Sequence, residues 1–326
     1  MTNPDERPAG QPGQSTAPAA TGDPAGAAGP SGRKGPLAGR VAVVTGASRG
    51  AGRGIALELG AAGATVYVSA RSTRARPENG AYAKILSLSG LSTMPGDIDA
   101  TAEAVTQLGG RGIAVRCDHA DEDDVRSLFD RVRAEAGRLD VLVNNAWGGH
   151  ETFDGVFEAP FWRQPLAHWD SMMNRGVRCH LLAARAAAPW LAEQRRGLIV
   201  ATTFWDRDRY ARGNLYYDLA KAAITRLAFG IAEELRGHGV ASLAVSPGWM
   251  RTELVLAGHR TDEAHWTERP ELARTESPRY LGRAVAALAA DPDVLGRSGR
   301  VWRVADLASE YGFTDVDGRR VPAFEL

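Results

Sequence analysis

The apolar residues of this chain fall into short continuous runs, and longer stretches with helical spacing separate them. Six runs predict strands, at residues 41–44, 65–69, 113–117, 141–143, 198–201 and 242–245. Most of the separating stretches have roughly 12 to 25 residues, which is the length class of a parallel crossover. Continuous rather than alternating apolar strands indicate a sheet covered on both faces. The pattern therefore predicts an α/β chain with a single doubly wound parallel sheet and helices on both faces.

Some segments depart from this rhythm. Residues 1–36 are rich in proline, glycine, alanine and serine, so they have little apolar surface to bury, and we expect a disordered tail. Residues 72–99 contain too many prolines and glycines for one helix, and we interpret them as an insertion near the ribose of a bound cofactor, within a domain of residues 37–305. A last strand at 300–304 is expected to close one edge of the sheet, and 306–326 form a polar and aromatic C-terminal extension.

Composition and charge exclude several classes of partner. Lysine plus arginine balance aspartate plus glutamate at 39 each, so no net field attracts nucleic acid or an anionic membrane. No membrane span or secretory signal is visible, and we expect a cytoplasmic protein. Cys117 and Cys179 fit no metal-ligand spacing and are expected to be free thiols. His119, Asp121 and Asp123 lie at a helix start, where capping charge is a better interpretation than a metal site, so no metal is expected.

A glycine-rich turn follows the first strand and opens the first helix. The stretch TGASRGAG at residues 45–52 contains Gly46, Gly50 and Gly52. Glycines at such a turn let backbone amides approach a pyrophosphate, and the dipole of the following helix favours the anion. A turn that only packs a helix is the alternative, but the position between strand and helix favours nucleotide binding.

Three side chains near this turn predict which cofactor is bound. Ser48 and Arg49 lie in the turn, and Arg71 ends the second strand, where an NAD site usually has an acidic residue. Guanidinium groups bind a 2′-phosphate well, whereas a carboxylate would repel it. The residues therefore predict NADP(H), with a solvated surface role for one of the arginines as the alternative.

Tyr217 and Lys221 lie four residues apart in a helical pattern, so both side chains project from one face. An ammonium group near a phenol stabilises the phenolate and lowers the pKa of the tyrosine. Such a tyrosine can act as general acid for a carbonyl oxygen or as general base for an alcohol, while a nicotinamide carries the hydride. An ordinary contact on a helix surface is the alternative.

These motifs occur in the order found in the short-chain dehydrogenase/reductase family, which the chain resembles over residues 37–305. The motifs are TGASRGAG at 45–52, Asp118 after the third strand, NNA at 144–146, YDLAK at 217–221 and PGWMRT at 247–252. Stretches at 138–146, 162–170 and 311–319 resemble a narrower branch of the family. The resemblance implies a Rossmann fold and an NADP(H)-linked reductase of ketones or aldehydes that forms a homo-dimer or homo-tetramer.

The resemblance also implies further cofactor contacts. Besides the glycine turn with its Ala51, they are Asp118 and His119, Asn145 and Ala146, Tyr217 and Lys221, and Pro247, Gly248 and Thr252. In the family the aspartate accepts from the adenine amine, the lysine holds the nicotinamide ribose and the threonine binds the carboxamide.

The chain departs from the family at two positions. A serine is expected 13 residues before the tyrosine, but Phe204 stands there. A shift of one residue would let Thr203 supply the hydroxyl, so we predict Thr203 as the third catalytic residue, with Asp206 or a water as the substitute if Phe204 occupies the site. Gly176 stands at the place of the family's asparagine, and Asn174 lies about 200° round a regular helix from it.

Trp147, Trp205 and Trp249 each follow a strand on the catalytic side of the sheet. They are expected to form the wall of an apolar pocket for an aromatic or polycyclic substrate, with ordinary packing as the alternative. The favoured function is reduction of a ketone or aldehyde, or oxidation of the corresponding secondary alcohol. The irregular serine and asparagine positions leave two alternatives, a dehydratase, epimerase or isomerase of specialised metabolism, and a catalytically silent NADP(H)-binding protein.

Overall fold

Seven parallel strands form one sheet in the computed structural model, which describes residues 35–205, 209–210 and 213–325. The strands are β1 (Val41–Thr45), β2 (Thr65–Ala70), β3 (Arg111–Arg116), β4 (Val141–Asn144), β5 (Gly197–Thr202), β6 (Val240–Ser246) and β7 (Val301–Arg303). Their order across the sheet is β3-β2-β1-β4-β5-β6-β7. The predicted doubly wound parallel sheet is confirmed. The expected N-terminal tail lies outside the described residues, apart from residues 35 and 36.

Ten α-helices accompany the sheet within the described ranges. They are α1 (Gly50–Ala61), α2 (Ala83–Ser89), α3 (Ile98–Gln107), α4 (Glu122–Ala136), α5 (Leu166–Met172), α6 (Arg178–Gln194), α7 (Leu215–Leu235), α8 (Glu253–Gly258), α9 (Pro278–Ala290) and α10 (Val304–Tyr311). Successive strand residues point to opposite faces, so Val43 packs with α4 and α6 while Val44 packs with α1 and α9. Both faces of the sheet are therefore covered by helices, as the continuous apolar runs predict.

Aspartates begin two of the crossover helices. The Asp97 carboxylate accepts from the Ala100 backbone N–H at 2.7 Å at the start of α3. The Asp121 carboxylate accepts from the backbone N–H groups of Asp123 and Asp124 at the start of α4. These caps satisfy amides that have no partner inside the helix. The capping interpretation of Asp121 and Asp123 is confirmed, and the described ranges contain no cluster of three or more potential metal ligands.

Residues 72–99 form a structured loop after β2. The loop contains an isolated bridge between Thr73 and Arg76 and the short helix α2, which packs against α8. Two residues of this loop, Leu86 and Met94, have buried side chains. This segment therefore brings its own side chains to the carboxyl end of β2, next to Arg71.

The residues after β7 return to the core. Val304, Leu307, Ala308 and Val321 belong to the apolar cluster that α1 and α9 form on one face of the sheet. The chain then passes beside β6 and reaches the site with Phe324, which lies 6.1 Å from the ring of Phe204. The sequence left the path of the C-terminal extension open. In the structure this extension brings Phe324 to the carboxyl ends of the strands.

A buried arginine ties this C-terminal segment to the loop after β6. The Arg251 side chain is fully buried and forms ion pairs with Asp315 at 3.3 Å, Asp317 at 3.2 Å and Glu263 at 3.0 Å. Its guanidinium also lies 4.3 Å from the ring centre of Trp266. A buried charge is tolerated when it is paired in this way. Arg251 therefore fixes the loop that carries Gly248 and Thr252.

Neither cysteine forms a disulfide, and both thiols are buried. Among the helices that the structure describes, none has the length and apolar character needed to cross a membrane.

Helices α1 and α9 cross at glycines, and this close approach yields a test of the fold. A Cβ atom on Gly54 would lie 2.2 Å from the Pro278 carbonyl oxygen, whereas a Cβ atom on Gly230 in α7 meets nothing within 4 Å. We expect Gly54→Ala to lower the free energy of unfolding by about 1–3 kcal/mol, because the α9 backbone must move. The matched change Gly230→Ala should raise it by about 0.5–1 kcal/mol through helix propensity.

Urea denaturation of the two variants and the parent protein measures both effects. Equal shifts of the unfolding midpoint for Gly54→Ala and Gly230→Ala would contradict the close crossing.

Candidate active site

Two depressions lie at the carboxyl ends of the strands. The first, here the glycine-turn cleft, is formed by the turn after β1 together with the segments that follow β2, β3 and β4. Ten of the predicted cofactor residues line it, namely Gly46, Ser48, Arg49, Ala51, Gly52, Arg71, Asp118, His119, Asn145 and Ala146. Strand order reverses between β1 and β4, and this switch point is where nucleotides bind in open parallel sheets.

The glycine turn packs directly on the residues that follow β4. Gly46 has a φ of +67°, and a Cβ atom there would lie 2.7 Å from the Ala146 Cα. The Asn145 side-chain amide donates to the carbonyl oxygens of Thr45 at 3.0 Å and Gly46 at 3.2 Å. Asn145 therefore shapes the cleft by holding the turn, and its amide group is not free to bind a ligand.

An anionic group already lies at the start of α1. The Gly50 backbone N–H donates to the Glu253 carboxylate at 2.9 Å, and α1 begins at this residue. A carboxylate bound to an amide at a helix N-terminus stands where a phosphate oxygen can bind. The cleft therefore fits the pyrophosphate of a dinucleotide, and Glu253 would have to leave Gly50 for that group to bind.

Both predicted arginines lie in the cleft and both are partly buried. The Arg71 guanidinium pairs with Glu151 at 2.7 Å and Glu78 at 3.5 Å, and its side chain is 18% exposed. Burial lowers the pKa of Arg71, but the acidic groups around it, Glu151 foremost, together outweigh burial and the net shift is upward. Arg49 donates to the Ser72 hydroxyl and to the Pro95 carbonyl, each at 2.7 Å. Neither arginine is a solvated surface charge.

Asp118 and His119 both line the cleft, but only one of them has a side chain available to a ligand. The Asp118 carboxylate accepts from the Ala120 N–H at 3.0 Å and lies 3.5 Å from Arg175. The His119 ring lies 3.0 Å from the Ser69 hydroxyl through Nε2 and 3.6 Å from the Cys117 sulfur through Nδ1. Burial lowers the pKa of His119 to about 4. Both ring nitrogens of His119 are engaged inside the protein, so its backbone is the part that the cleft presents to a ligand.

Several cleft residues were not predicted from the sequence. Glu78, Tyr82 and Met94 come from the loop of residues 72–99, while Glu151 and Arg175 come from the segments after β4. None of them belongs to a motif or a periodic pattern, because loop geometry alone brings them to the cleft. For Glu78, Tyr82 and Met94 the only signal in the sequence was the position of the insertion directly after Arg71. Glu151 and Arg175 had no such signal.

The second depression, here the tyrosine pocket, lies beside the cleft and contains Tyr217. It is lined chiefly by aromatic and backbone groups, including those of Trp147, His150, Phe157, Phe204, Tyr217, Lys221, Gly248, Trp249, Thr252 and Phe324. Trp147 and His150 line both depressions. The predicted catalytic pair therefore lies in a mostly apolar pocket that shares Trp147, His150 and Leu254 with the cleft.

Aromatic rings surround the phenol of Tyr217. Its ring centre lies 5.8 Å from that of Trp147, 6.0 Å from His150 and 5.7 Å from Phe157. Burial among these rings raises the pKa of Tyr217 well above its ordinary value. The hydroxyl thus remains protonated at neutral pH, as a proton donor must.

The Lys221 ammonium lies on the indole face of Trp147. Its Nζ is 3.6 Å from the indole ring centre and 5.3 Å from the ring centre of Tyr217. Burial lowers the pKa of Lys221 to about 7. The expectation that Lys221 lowers the pKa of Tyr217 is corrected for this structure, because the cation is held by the indole and burial governs the phenol.

Gly176 and Trp147 explain the missing asparagine of the family. Gly176 lies in a π-helical turn, Met173–Val177, and a Cβ atom on it would lie 2.6 Å from the Trp147 ring. Any larger residue at 176 would exclude the indole. Asn174 is exposed on this turn and does not take the place of the asparagine. The tryptophan therefore fills the space that a side chain at 176 would need.

The predicted role of Thr203 is wrong. The Thr203 side chain is 4% exposed, and its hydroxyl donates to the Lys221 backbone carbonyl at 3.0 Å. Phe204 lines the pocket instead, with its ring 6.3 Å from that of Tyr217. Successive residues leaving β5 point in opposite directions, so only one of the two can face the pocket. Asp206, the other candidate, lies outside the described residues.

The segment after β6 contributes part of its predicted set. Gly248 and Thr252 line the tyrosine pocket, whereas Pro247 lines neither depression. The Thr252 hydroxyl accepts from the Val255 N–H at 3.4 Å and caps α8. Of the three tryptophans, Trp147 and Trp249 line the pocket and Trp205 does not.

Comparison with known proteins agrees with this geometry. A family model described as enoyl-(acyl carrier protein) reductase matches residues 81–295. Dehydrogenase/reductase SDR family member 1 of Mus musculus is 40% identical over 292 residues, covering 88% of this chain and 86% of that protein. The 3-oxoacyl-[acyl-carrier-protein] reductase of Synechocystis sp. is 28% identical over 269 residues, covering 82% of this chain and 96% of that protein.

A similar structure has been solved. The crystal structure of a short chain dehydrogenase from Mycobacterium thermoresistibile superposes with a TM-score of 0.71 at 27% identity, covering 89% of this chain and 94% of the other. The sequence matches, the shared fold and the five motifs agree with one another. The chain therefore belongs to the short-chain dehydrogenase/reductase family of oxidoreductases, which use nicotinamide cofactors.

Proposed function

We propose that this protein is an NADP(H)-dependent oxidoreductase that reduces a ketone or aldehyde, or oxidises the corresponding secondary alcohol. The observation that carries the proposal is the position of the Tyr217 phenol. It lies in an apolar pocket that shares Trp147 and His150 with the glycine-turn cleft. A carbonyl group beside the phenol would therefore lie next to a nicotinamide bound at the near end of the cleft.

Tyr217 is the proton donor of the proposed reaction. Bound nicotinamide supplies the hydride to the carbonyl carbon. The raised pKa of Tyr217 keeps its proton in place until negative charge develops on the carbonyl oxygen, which then takes that proton. The Lys221 ammonium, 5.3 Å from the phenol ring, attracts the phenolate left behind. Aromatic side chains around the pair exclude water from the step.

The charges at the ribose end of the cleft support NADP(H). Arg49, Arg71 and Ser48 line this end, and no carboxylate ends β2. The Arg71 guanidinium forms ion pairs with Glu151 and Glu78 in this structure. A 2′-phosphate would replace these carboxylate oxygens on the guanidinium. The ion pairs keep the guanidinium in the cleft before the cofactor arrives.

The walls of the tyrosine pocket support an aromatic or polycyclic substrate. Phe157, Trp249 and Phe324 surround the entrance to Tyr217 and offer flat apolar surfaces. Apolar walls with few polar groups orient a substrate through its single polar function. The reacting carbonyl would then be the only polar group that must reach the interior.

A second candidate is supported by two observations. Phe204 occupies the place of a hydroxyl donor, and the Lys221 ammonium lies on the indole of Trp147. Both are compatible with a dehydratase, epimerase or isomerase, or with a silent NADP(H)-binding protein. Substrate conversion without net oxidation of NADPH would favour a dehydratase, epimerase or isomerase. Cofactor binding without any substrate conversion would favour a silent NADP(H)-binding protein.

Replacement of Tyr217 tests the proposed proton donor. We expect Tyr217→Phe to lower kcat for carbonyl reduction by about 10²–10⁴-fold, because the general acid is lost. The affinity for NADPH should change little, since Tyr217 does not line the glycine-turn cleft. Stopped-flow or steady-state absorbance of NADPH and a fluorescence titration measure the two quantities.

The adjacent tyrosine gives a matched control. Tyr216 is buried and its hydroxyl donates weakly to the Phe161 carbonyl at 3.4 Å, away from the pocket. Tyr216→Phe should retain kcat within about twofold. A turnover that survives in Tyr217→Phe would refute the assignment of the acid.

Replacement of Arg71 tests the cofactor preference. We expect the parent protein to bind NADPH more tightly than NADH, and Arg71→Gln to weaken NADPH binding by about tenfold or more through loss of a charge-assisted hydrogen bond. NADH binding should change much less. Calorimetric titration with each cofactor measures the difference.

Arg74 is the control for Arg71, because it is 61% exposed and pairs with Glu103 outside the cleft. Arg74→Gln should leave both affinities unchanged. An equal loss of NADPH and NADH binding in Arg71→Gln would mean that Arg71 only supports the cleft, and the NADP(H) proposal would fail.

A further inference from the structure

His150 lies where the two depressions meet. It lines both the glycine-turn cleft and the tyrosine pocket. Its ring is nearly parallel to that of Tyr217, with an interplanar angle of 13° and ring centres 6.0 Å apart. The imidazole and the phenol thus stand side by side in the pocket.

The hydrogen bond from Trp147 fixes the tautomer of His150. The indole Nε1–H donates to His150 Nδ1 at 3.3 Å, and an indole nitrogen can only donate. Nδ1 must therefore accept, so a neutral ring carries its hydrogen on Nε2. Burial, with a contribution from the charge of Lys221, lowers the pKa of His150 to about 4. The ring is consequently neutral at neutral pH, with Nε2–H as a donor.

This donor has no partner in the protein. His150 Nε2 is buried, and no hydrogen-bonding atom within the described residues reaches it. An unpaired buried donor loses its hydrogen bonds to water without replacement, which is why such groups are rare in folded proteins. A donor left unpaired in the wall of a pocket is instead available to a ligand.

The tyrosine pocket contains other donors, and those of Arg209, Tyr210, Lys221 and Thr252 also belong to its lining. Phe204 faces Tyr217 with an apolar ring, and the Thr203 hydroxyl is bound to the Lys221 carbonyl. The Thr252 hydroxyl accepts a hydrogen bond at the start of α8, and its own O–H is a second neutral donor in the pocket lining. His150 is distinguished from these side chains because its ring stacks on the phenol ring and its Nε2 has no partner within the described residues.

We propose that His150 is a catalytic residue whose Nε2–H donates a hydrogen bond to the substrate carbonyl oxygen, beside the Tyr217 hydroxyl. This inference rests on the proposed carbonyl reduction. The carbonyl π bond breaks as a hydride from the reduced nicotinamide adds to carbon, and the oxygen takes the proton of Tyr217. The nicotinamide is oxidised and the carbonyl is reduced. His150 keeps its proton throughout and stabilises the negative charge that develops on oxygen.

Phe157 covers both groups in this structure. Its ring lies edge-on to His150 at 5.8 Å and to Tyr217 at 5.7 Å, and its side chain is 39% exposed. A substrate that reaches the phenol must displace this ring. The same displacement uncovers the His150 donor, so both polar groups become available together.

Two substitutions of His150 separate the donor from the position of the ring. In His150→Asn the short side chain can still accept from Trp147 but does not reach the place of Nε2. In His150→Gln the longer side chain brings an amide N–H close to that place. We expect kcat to fall about 10²–10³-fold in His150→Asn and to recover at least about tenfold in His150→Gln. Because His150 also lines the glycine-turn cleft, kcat is measured at saturating NADPH and the NADPH affinity of each variant is recorded separately.

A nearby histidine is the control. His168 is buried but lines neither the cleft nor the pocket. His168→Asn should leave kcat within about twofold, with thermal unfolding recorded for all three variants to verify folding. An equal loss in His168→Asn, or equal values of kcat in His150→Asn and His150→Gln, would overturn the donor role.

A second measurement does not depend on turnover. Nitrogen-15 NMR of the histidine side chains, assigned with His150→Gln, should find His150 neutral and protonated on Nε2 across the pH range about 5.5 to 8. A cationic ring or protonation on Nδ1 at pH 7 would overturn the proposal. If Tyr217→Phe abolishes turnover while His150→Asn does not, only the role of His150 fails. If the parent protein reduces no carbonyl compound, both proposals fail.

Discussion

The packing of Trp147 in the space beside Gly176 is the interaction on which the rest of the site depends. The indole fits there only because residue 176 has no side chain. From this position its face holds the Lys221 ammonium, its Nε1–H binds His150, and its edge contacts Tyr217. Three polar groups thus take their positions from one apolar ring. A larger residue at 176 would displace all three contacts together.

Burial acts in the same direction on the three titratable groups that contact Trp147. It raises the pKa of Tyr217 and lowers that of Lys221 and of His150, so in every case the neutral form is favoured. A neutral phenol and a neutral imidazole are hydrogen-bond donors that can face one carbonyl oxygen. The pocket therefore favours the uncharged ground state and becomes most useful when charge develops on the substrate.

The glycine-turn cleft differs from the tyrosine pocket, because its side chains are charged and are held in ion pairs or hydrogen bonds. Arg71 is held by Glu151 and Glu78, and the Gly50 amide is held by Glu253. Under the proposed function, the phosphates of the cofactor would replace these carboxylates and exchange one set of ion pairs for another. On the far side of β6, Arg251 and its acidic partners keep the loop of Thr252 in place. Charged groups are thus paired with one another both in the cleft and near the C terminus.

By itself the sequence determined the parallel sheet, the glycine turn and the placement of Tyr217 and Lys221 on one helix, because these follow from local periodicity and from residues close together in the chain. It also identified the two departures at residues 176 and 204. Tertiary structure decided that Phe204 rather than Thr203 faces the pocket, that Trp147 fills the space beside Gly176, and that His150 stands next to Tyr217. These contacts join segments far apart in the chain, and shape complementarity between distant loops leaves no periodic trace in a single sequence.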